Sequence, residues 1–422
     1  MRTNFSPAML VDPHLAGAEK NLRACVHCGI CTATCPTYVL LGDERDGPRG
    51  RIVMMQRMLE EGGAPSAETV LHLDRCLSCL GCRTACPSGV DYAQLIDASR
   101  AHIETHYRRP LRDRVLRFLI PNLLTRPAVT KFAVGLARTF APLATRLPGA
   151  LGTLARTAAK ASPQRTNGTT APAGGARIAL LPGCVQQALA PDIDRAAARV
   201  LARRGFDLVQ LEGAGCCGAL AHHLGRDAKD WAKRIIQAFE PADNAHAFEG
   251  VLITATGCAA HLADYPRLFA DEPDWRARAE RFAAKLRDFS TLAGPRPSPT
   301  PRRLRVAVHH PCSLQHGLEL EGAGEAALEA AGFEVVQIPE GHLCCGSAGS
   351  YSILQPELAG ALRARKLDNA KSVKPDAIAA ANIGCLNHLA GPDAPPLVHP
   401  AELIDWAEGG PMPAALKRIF SR

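Results

Sequence analysis

A cysteine run of fixed spacing occurs twice in this chain of 422 residues and limits its fold more than any other feature. The first copy is Cys25, Cys28, Cys31 and Cys35, followed by Pro36; the second is Cys76, Cys79, Cys82 and Cys86, followed by Pro87. Both read C-x-x-C-x-x-C-x-x-x-C-P, and each cysteine lies 51 residues from its counterpart. This is the spacing of ferredoxin-type iron–sulfur ligation, in which three close thiolates wrap one cluster and the fourth, before proline, ligates the other. The expected ligand sets are Cys25, Cys28, Cys31 and Cys86 for one [4Fe–4S] cluster, and Cys76, Cys79, Cys82 and Cys35 for the second. Structural zinc favours two separated C-x-x-C pairs closing one tetrahedron, a poor fit to a duplicated run of four. A disulfide framework needs an oxidising compartment.

Length implies two or three domains, and 47% hydrophobic residues are enough to build cores. The N-terminus lacks a cationic stretch followed by an apolar core, so no signal peptide is expected. No apolar run reaches the length needed to span a bilayer. Sixteen cysteines then point to metal ligation in a reducing cytosol.

The net charge of +8 is concentrated in one place. Residues 108–160 carry eleven Lys/Arg against Asp113 alone, a local +10 that leaves the rest of the chain at about −2. Basic and apolar residues alternate there between prolines, which suits short helices docking on an anionic membrane surface or a partner subunit, or a solvated connector. Arg112, Arg114 and Arg117 are the candidate contacts. No helix-turn-helix or zinc-finger pattern supports nucleic-acid binding.

The periodicity predicts helices over 51–60, with Ile52, Met55 and Leu59 on one face, and over 91–106, with Tyr92, Leu95, Ile96 and Ile103 on one face. Forty residues separate the two runs, more than a compact ferredoxin hairpin needs, so residues 1–107 are expected to form an α-helical two-cluster domain. Residues 108–176 form a connector and linker. Two α/β modules follow, at 177–293 and 304–422, the second after a proline-rich linker. Strands are expected at 177–181, 206–211 and 251–254, then at 304–309, 333–338 and 377–381. The fold class is thus α+β multidomain: a helical two-cluster ferredoxin-like domain, then a duplicated α/β Cys-Cys-Gly unit.

The duplication is quantitative. Cys184 to Cys216 and Cys312 to Cys344 both span 32 residues; Cys217 to Cys258 spans 41 and Cys345 to Cys385 spans 40. Matched cysteine registers mark repeated structural units. In each unit the cysteines follow strands, where open α/β sheets place ligands. Cys184, Cys216, Cys217 and Cys258, and likewise Cys312, Cys344, Cys345 and Cys385, are enough for a third and a fourth metal centre, iron–sulfur or zinc. The plainer alternative is that they are buried structural thiols.

The twin runs followed by two Cys-Cys-Gly modules resemble the iron–sulfur subunits of membrane-linked dehydrogenases, those of glycolate oxidase, anaerobic glycerol-3-phosphate dehydrogenase and heterodisulfide reductase among them. The resemblance is strongest to glycolate oxidase. It rests on residues 24–38, on Gly42-Asp-Glu-Arg-Asp-Gly-Pro-Arg-Gly-Arg51, on Leu343-Cys-Cys-Gly-Ser-Ala-Gly-Ser-Tyr351 and on Ala381-Asn-Ile-Gly-Cys-Leu-Asn-His-Leu389. It implies a subunit that passes electrons from a separate FAD-containing subunit, which oxidises glycolate, toward a quinone or another acceptor, in the cytoplasm or on the inner face of the membrane. No G-x-G-x-x-G opens a βαβ unit here, which agrees with a flavin held on a partner. Lactate, glycerol-3-phosphate or a disulfide are alternative substrates of such a complex, and a zinc-binding scaffold is the alternative of another class. One departure stands out. Where heterodisulfide reductase modules can end in C-x-x-C, this chain has Cys258-Ala-Ala-His261 and Cys385-Leu-Asn-His388. That leaves open whether His261 and His388 are ligands.

Overall fold

Prolines and polar caps set the helix starts of the first domain. A computed structural model describes residues 1–125, 129, 175–299, 302–320 and 322–420. Most of the remainder of the expected 108–176 connector and linker, and the end of the proline-rich linker, lie outside the described residues. Pro13–Ala24 is capped by the Asp12 carboxylate, which accepts from the His14 N–H at 2.8 Å. Pro36–Leu41 and Pro48–Glu61 each open on proline, where the missing N–H costs nothing. Gly62, with φ of 68°, ends the second of these, as its sequence position predicts. Ala67–Asp74 and Tyr92–His106 complete the bundle. Ile52, Met55, Leu59, Tyr92, Leu95, Ile96 and Ile103 all enter one core, the faces that the helical periodicity selects.

Each cysteine-rich module is a four-stranded parallel sheet. The first is ordered β2-β1-β3-β4, from Ala176–Leu180 (β1), Phe206–Gln210 (β2), Gly250–Leu252 (β3) and Leu286–Arg287 (β4). The second repeats it as β6-β5-β7-β8, from Arg305–His309 (β5), Glu334–Gln337 (β6), Ala377–Ala380 (β7) and Leu397–Val398 (β8). Six of these strands match the expected ones to within two residues at each end. β4 and β8, two residues each, carry too little sequence signal to be read in advance.

The modules are not separate beads. One core joins Phe239 and Ile253 of the first to Ile378 and Leu386 of the second; another joins Val200 and Leu201 to Ile404 and Trp406. Asp405, fully buried, accepts from Arg199 at 2.6 Å and from Arg203 at 2.7 Å across the same boundary. The Thr256 N–H donates to the Ala381 carbonyl at 3.3 Å, so backbone also crosses between modules. The C-terminal strand ends of both sheets, with the loops that carry the cysteines, therefore meet.

Of the basic segment, Leu111–Leu124 is helical. It is docked on the first domain rather than free. Arg109 and Arg117 are both buried and share Asp74, at 2.6 and 3.0 Å. Arg117 is therefore not a docking contact, contrary to expectation: the single local acid, Asp113, and the distant Asp74 have claimed it. Arg112 and Arg114 are exposed, beside exposed Leu111, Val115, Phe118 and Leu119.

Candidate functional site

The two cysteine runs interleave around two adjoining pockets. Cys25, Cys28, Cys31 and Cys86 line one; Cys35, Cys76, Cys79 and Cys82 line the other. Pro48, Cys82 and Tyr92 line both and form the wall between them. The last cysteine of each run thus lines the pocket of the other run.

Backbone geometry repeats along with the sequence. His27 and Ser78, each two residues after the first cysteine of its run, have φ of 57° and 52°; Gly29 and Leu80, two further on, have 81° and 62°. Left-handed residues at matched positions curl the chain so that successive N–H groups can turn toward one anionic centre. Such conformations cost non-glycine residues about 1–3 kcal/mol each and persist where function holds them.

Donors reach the sulfurs of the second pocket. The Ser78 N–H lies 3.5 Å from Cys76 Sγ, the Tyr92 hydroxyl 3.9 Å from the same sulfur, and Arg51 Nη1 3.7 Å from Cys35 Sγ. Arg51 is fully buried and also meets Asp46 at 3.3 Å and the His72 carbonyl at 2.8 Å. A buried cation and N–H donors aimed at sulfur suit an anionic cluster, whose potential such groups set. A single ion suits these sets less well: among the described residues, neither set brings three sulfurs within 4.8 Å of one another. Tetrahedral zinc would hold its sulfurs about 3.8 Å apart. In the first pocket burial, with the neighbouring Cys25, Cys86 and Cys28, pushes the Cys31 thiol up to about 11. A metal would remove that cost by binding the thiolate.

The eight module cysteines converge as well. Cys184, Cys216, Cys217, Cys258, Cys312, Cys344, Cys345 and Cys385 all line one cavity of about 1070 Å³, together with Cys79 of the second pocket. Cys184 and Cys216 sulfurs are 3.3 Å apart, Cys312 and Cys344 3.8 Å, and Cys345 and Cys385 3.4 Å. The glycine of each Cys-Cys-Gly has a physical reason. Gly218 and Gly346 have φ of 83° and 92°, and each turns its N–H onto the sulfur two residues back, at 3.4 and 3.5 Å. A Cβ at Gly346 would stand 2.7 Å from the Ala359 carbonyl oxygen.

The described sequence matches the family described as "4Fe-4S dicluster domain" over residues 24–90, and the "Cysteine-rich domain" family over 178–263 and again over 306–390. The chain is 39% identical to the glycolate oxidase iron-sulfur subunit of Escherichia coli over 96% of its own length and 99% of that protein. It belongs to the glycolate oxidase iron–sulfur subunit family. Another relative, the probable glycolate oxidase iron-sulfur subunit of Bacillus subtilis, is 30% identical over 87% of this chain and 88% of that one. Lactate utilization protein A of Geobacillus thermodenitrificans is 29% identical over 51% of this chain and 90% of that protein. The fold is shared with a crystal structure of a hypothetical protein from Helicobacter pylori, with a TM-score of 0.59, 8% identity, and coverage of 96% of this chain and 74% of that one.

Family membership makes this an iron–sulfur electron-transfer subunit of an oxidoreductase, and the dicluster match answers the zinc-scaffold alternative for the first domain. Among the described residues no helix is long and apolar enough to cross a membrane. Among the described residues neither module-ending histidine joins a group of three close ligands. The His388 ring nitrogen Nε2 is 3.2 Å from the Ala359 carbonyl, and burial holds the ring down to about 4. His261 packs against His222 at 4.8 Å between ring centroids, and His222 in turn meets Asp97 at 3.1 Å. Sequence reasoning missed Arg51 as a neighbour of the sulfurs, though it closes one of the stretches that carry the resemblance. It also missed His309, which no spacing rule marks.

Proposed function

We propose that this chain carries electrons, one at a time, from a separate FAD-bearing subunit that oxidises glycolate toward a quinone or another acceptor. In this reading Cys25, Cys28, Cys31 and Cys86 hold one [4Fe–4S] cluster, and Cys76, Cys79, Cys82 and Cys35 hold the second. The observation that carries it is the pair of pockets sharing Cys82 and Tyr92 as a wall. Clusters so placed exchange electrons with little rearrangement, because thiolate-bound clusters accept and release charge without changing ligands. No flavin or substrate-oxidising residue is assigned to this chain.

The relay has two unlike ends. Cys28 is exposed and flanked by exposed Val26 and Ile30, which suits contact with a protein donor. Cys79 opens instead onto the cavity of the modules. The complex is expected in the cytoplasm, with the exposed face of Leu111–Leu124 as its contact to the membrane surface.

Glycolate should reduce the clusters, followed by absorbance and EPR, only when the flavoprotein subunit is added. Reduction of the isolated chain by glycolate would remove the need for a partner. A second reading, lactate as the substrate, is favoured by the similarity to lactate utilization protein A. A panel of 2-hydroxyacids tested on the reconstituted complex separates the two.

A further inference from the structure

Among the described residues, one place brings three metal-ligating side chains into single-ion range. The ligand atoms of His309, Cys345 and Cys385 all lie within 4.8 Å of one another, and all three residues are buried. The two sulfurs, 3.4 Å apart, already stand near the separation of about 3.8 Å that a tetrahedral zinc site requires.

His309 ends β5 and is 2% exposed, yet among the described residues neither ring nitrogen has a hydrogen-bond partner. Each buried polar group left unpaired costs about 1–3 kcal/mol. A nitrogen bound to a metal is no longer unpaired. His309 also lines a separate pocket of about 30 Å³ with Thr254, Ser290 and His399. That is space for one water, the kind of outer partner a ligating histidine uses for its second nitrogen.

The charge around the group fits. Lys366 is 2% exposed and its ammonium donates to the Glu340 carbonyl at 2.8 Å; burial pushes it down, while negative charge on Cys345, Cys344 and Cys385 acts to hold its proton. The Glu340 carboxylate is itself taken up by Arg365 and Asn369. Two thiolates cancel the charge of a divalent ion, so the filled site adds no net positive charge beside this buried cation.

The duplication sharpens the argument. Aligned on Cys184 and Cys312, the first module has Leu181 where the second has His309, and Leu181 is equally buried, at 1%. The repeats thus differ at a ligand while keeping the packing. We propose that His309, Cys345 and Cys385 form a one-nitrogen, two-sulfur site for a divalent ion of the zinc class, in the second module only. Two thiolates and one imidazole are the donors such an ion takes. Cys345 and Cys385 also line the large cavity, which gives a fourth donor a route to the ion. The proposal rests on the reading that the module sulfurs ligate metal.

The test is zinc, iron and sulfide analysis of the full chain purified anaerobically, with X-ray absorption at the zinc edge. Zinc with two sulfur neighbours and a nitrogen neighbour is expected. His309→Leu, which copies the first module, should weaken zinc binding by more than the roughly 10–100-fold that loss of an outer partner costs. Iron and sulfide should be unchanged, and His309→Cys should restore zinc. Zinc held equally by His309→Leu but lost in Cys385→Ser would overturn the role of His309 and leave the module as a metal site. Zinc-free wild type that loses iron and sulfide in Cys385→Ser would give these sulfurs to an iron–sulfur centre and overturn the proposal. No change of metal content in either variant would remove both readings.

Discussion

The Thr84 hydroxyl and His316 Nδ1 stand 2.8 Å apart, and this bond joins the dicluster domain to the second cysteine-rich module. Thr84 lies between Cys82 and Cys86, and His316 lies in the turn Ser313–Gly317 that follows Cys312. Arg83 meets Glu319 at 3.1 Å beside it. Cys79, Cys312 and Cys344 belong to one apolar cluster at the same boundary. The second pocket of the dicluster domain is therefore continuous with the second module through sulfur as well as through hydrogen bonds.

Thr84→Val should loosen that junction without emptying either pocket. One side-chain hydrogen bond is worth about 1 kcal/mol, so amide exchange of Leu318 and Leu320, which close the Ser313–Gly317 turn, should speed up by several-fold. Iron and sulfide content should stay at the wild-type level. Exchange unchanged at both amides would show that the bond does not hold the junction.

Arg51 should tune one cluster and not the other. It approaches Cys35 and lines only the second pocket. Its loss removes a buried positive charge and a donor to sulfur, both of which favour the reduced state. In Arg51→Gln, redox titration followed by EPR should show one cluster harder to reduce and the other unmoved. Stability should fall by about 3–5 kcal/mol, because Asp46 is left buried with one partner fewer. Equal shifts of both clusters would assign the effect to general loosening instead.

The helix Leu111–Leu124 divides its arginines between two tasks, and substitutions should separate them. Arg117→Glu places like charges against Asp74 and Asp113 and should destabilise the first domain by several kcal/mol. Arg112→Glu and Arg114→Glu, both on exposed side chains, should cost less than about 1 kcal/mol. Phe118→Asp and Leu111→Asp should lower binding of the reconstituted complex to anionic vesicles while leaving cluster content intact. Vesicle binding that survives these apolar-to-acidic changes would remove the membrane contact.

What the sequence showed and what it hid have physical reasons. Ferredoxin-type spacing is written within a short stretch, so the cysteines that line the two pockets stand out at 25–35 and 76–86 without any tertiary information. The Cys-Cys-Gly registers were legible for the same reason: a left-handed glycine and two thiols must be adjacent. The partners of these groups were not legible. Arg51, Thr84 with His316, and His309 with Cys345 act across 16, 232 and 36 residues of chain, respectively. The convergence of both modules on one cavity was hidden too, because it follows from helices and strand-end loops of the two modules packing together. Arg117 shows the opposite failure. A run of positive charge in sequence looked like one surface, but helical geometry turns Arg117 inward while its neighbours Arg112 and Arg114 face out.

His399 should make the contact between modules sensitive to acid. Its Nδ1 accepts from the Ala401 N–H at 3.1 Å, so the proton sits on Nε2, which donates to the Thr254 carbonyl of the first module at 3.1 Å. Burial holds this ring down to about 4, against an ordinary value of 6.5. The folded state therefore prefers the neutral ring, and the unfolded chain takes up the proton first as pH falls. Stability from this group is complete above about pH 6.5 and is lost as pH drops toward 4, by up to about 3 kcal/mol. His223 and His388 are also held down to about 4 by burial and contribute to the total slope. The difference between wild type and His399→Asn isolates the one ring. Asparagine can still cap the helix Pro400–Ala407 but cannot titrate. In urea unfolding followed by tryptophan fluorescence, wild type should be the more stable protein at pH 7, and the gap should close between pH 6.5 and 4. A gap that stays constant over that range would show that His399 keeps its ordinary proton affinity inside the fold.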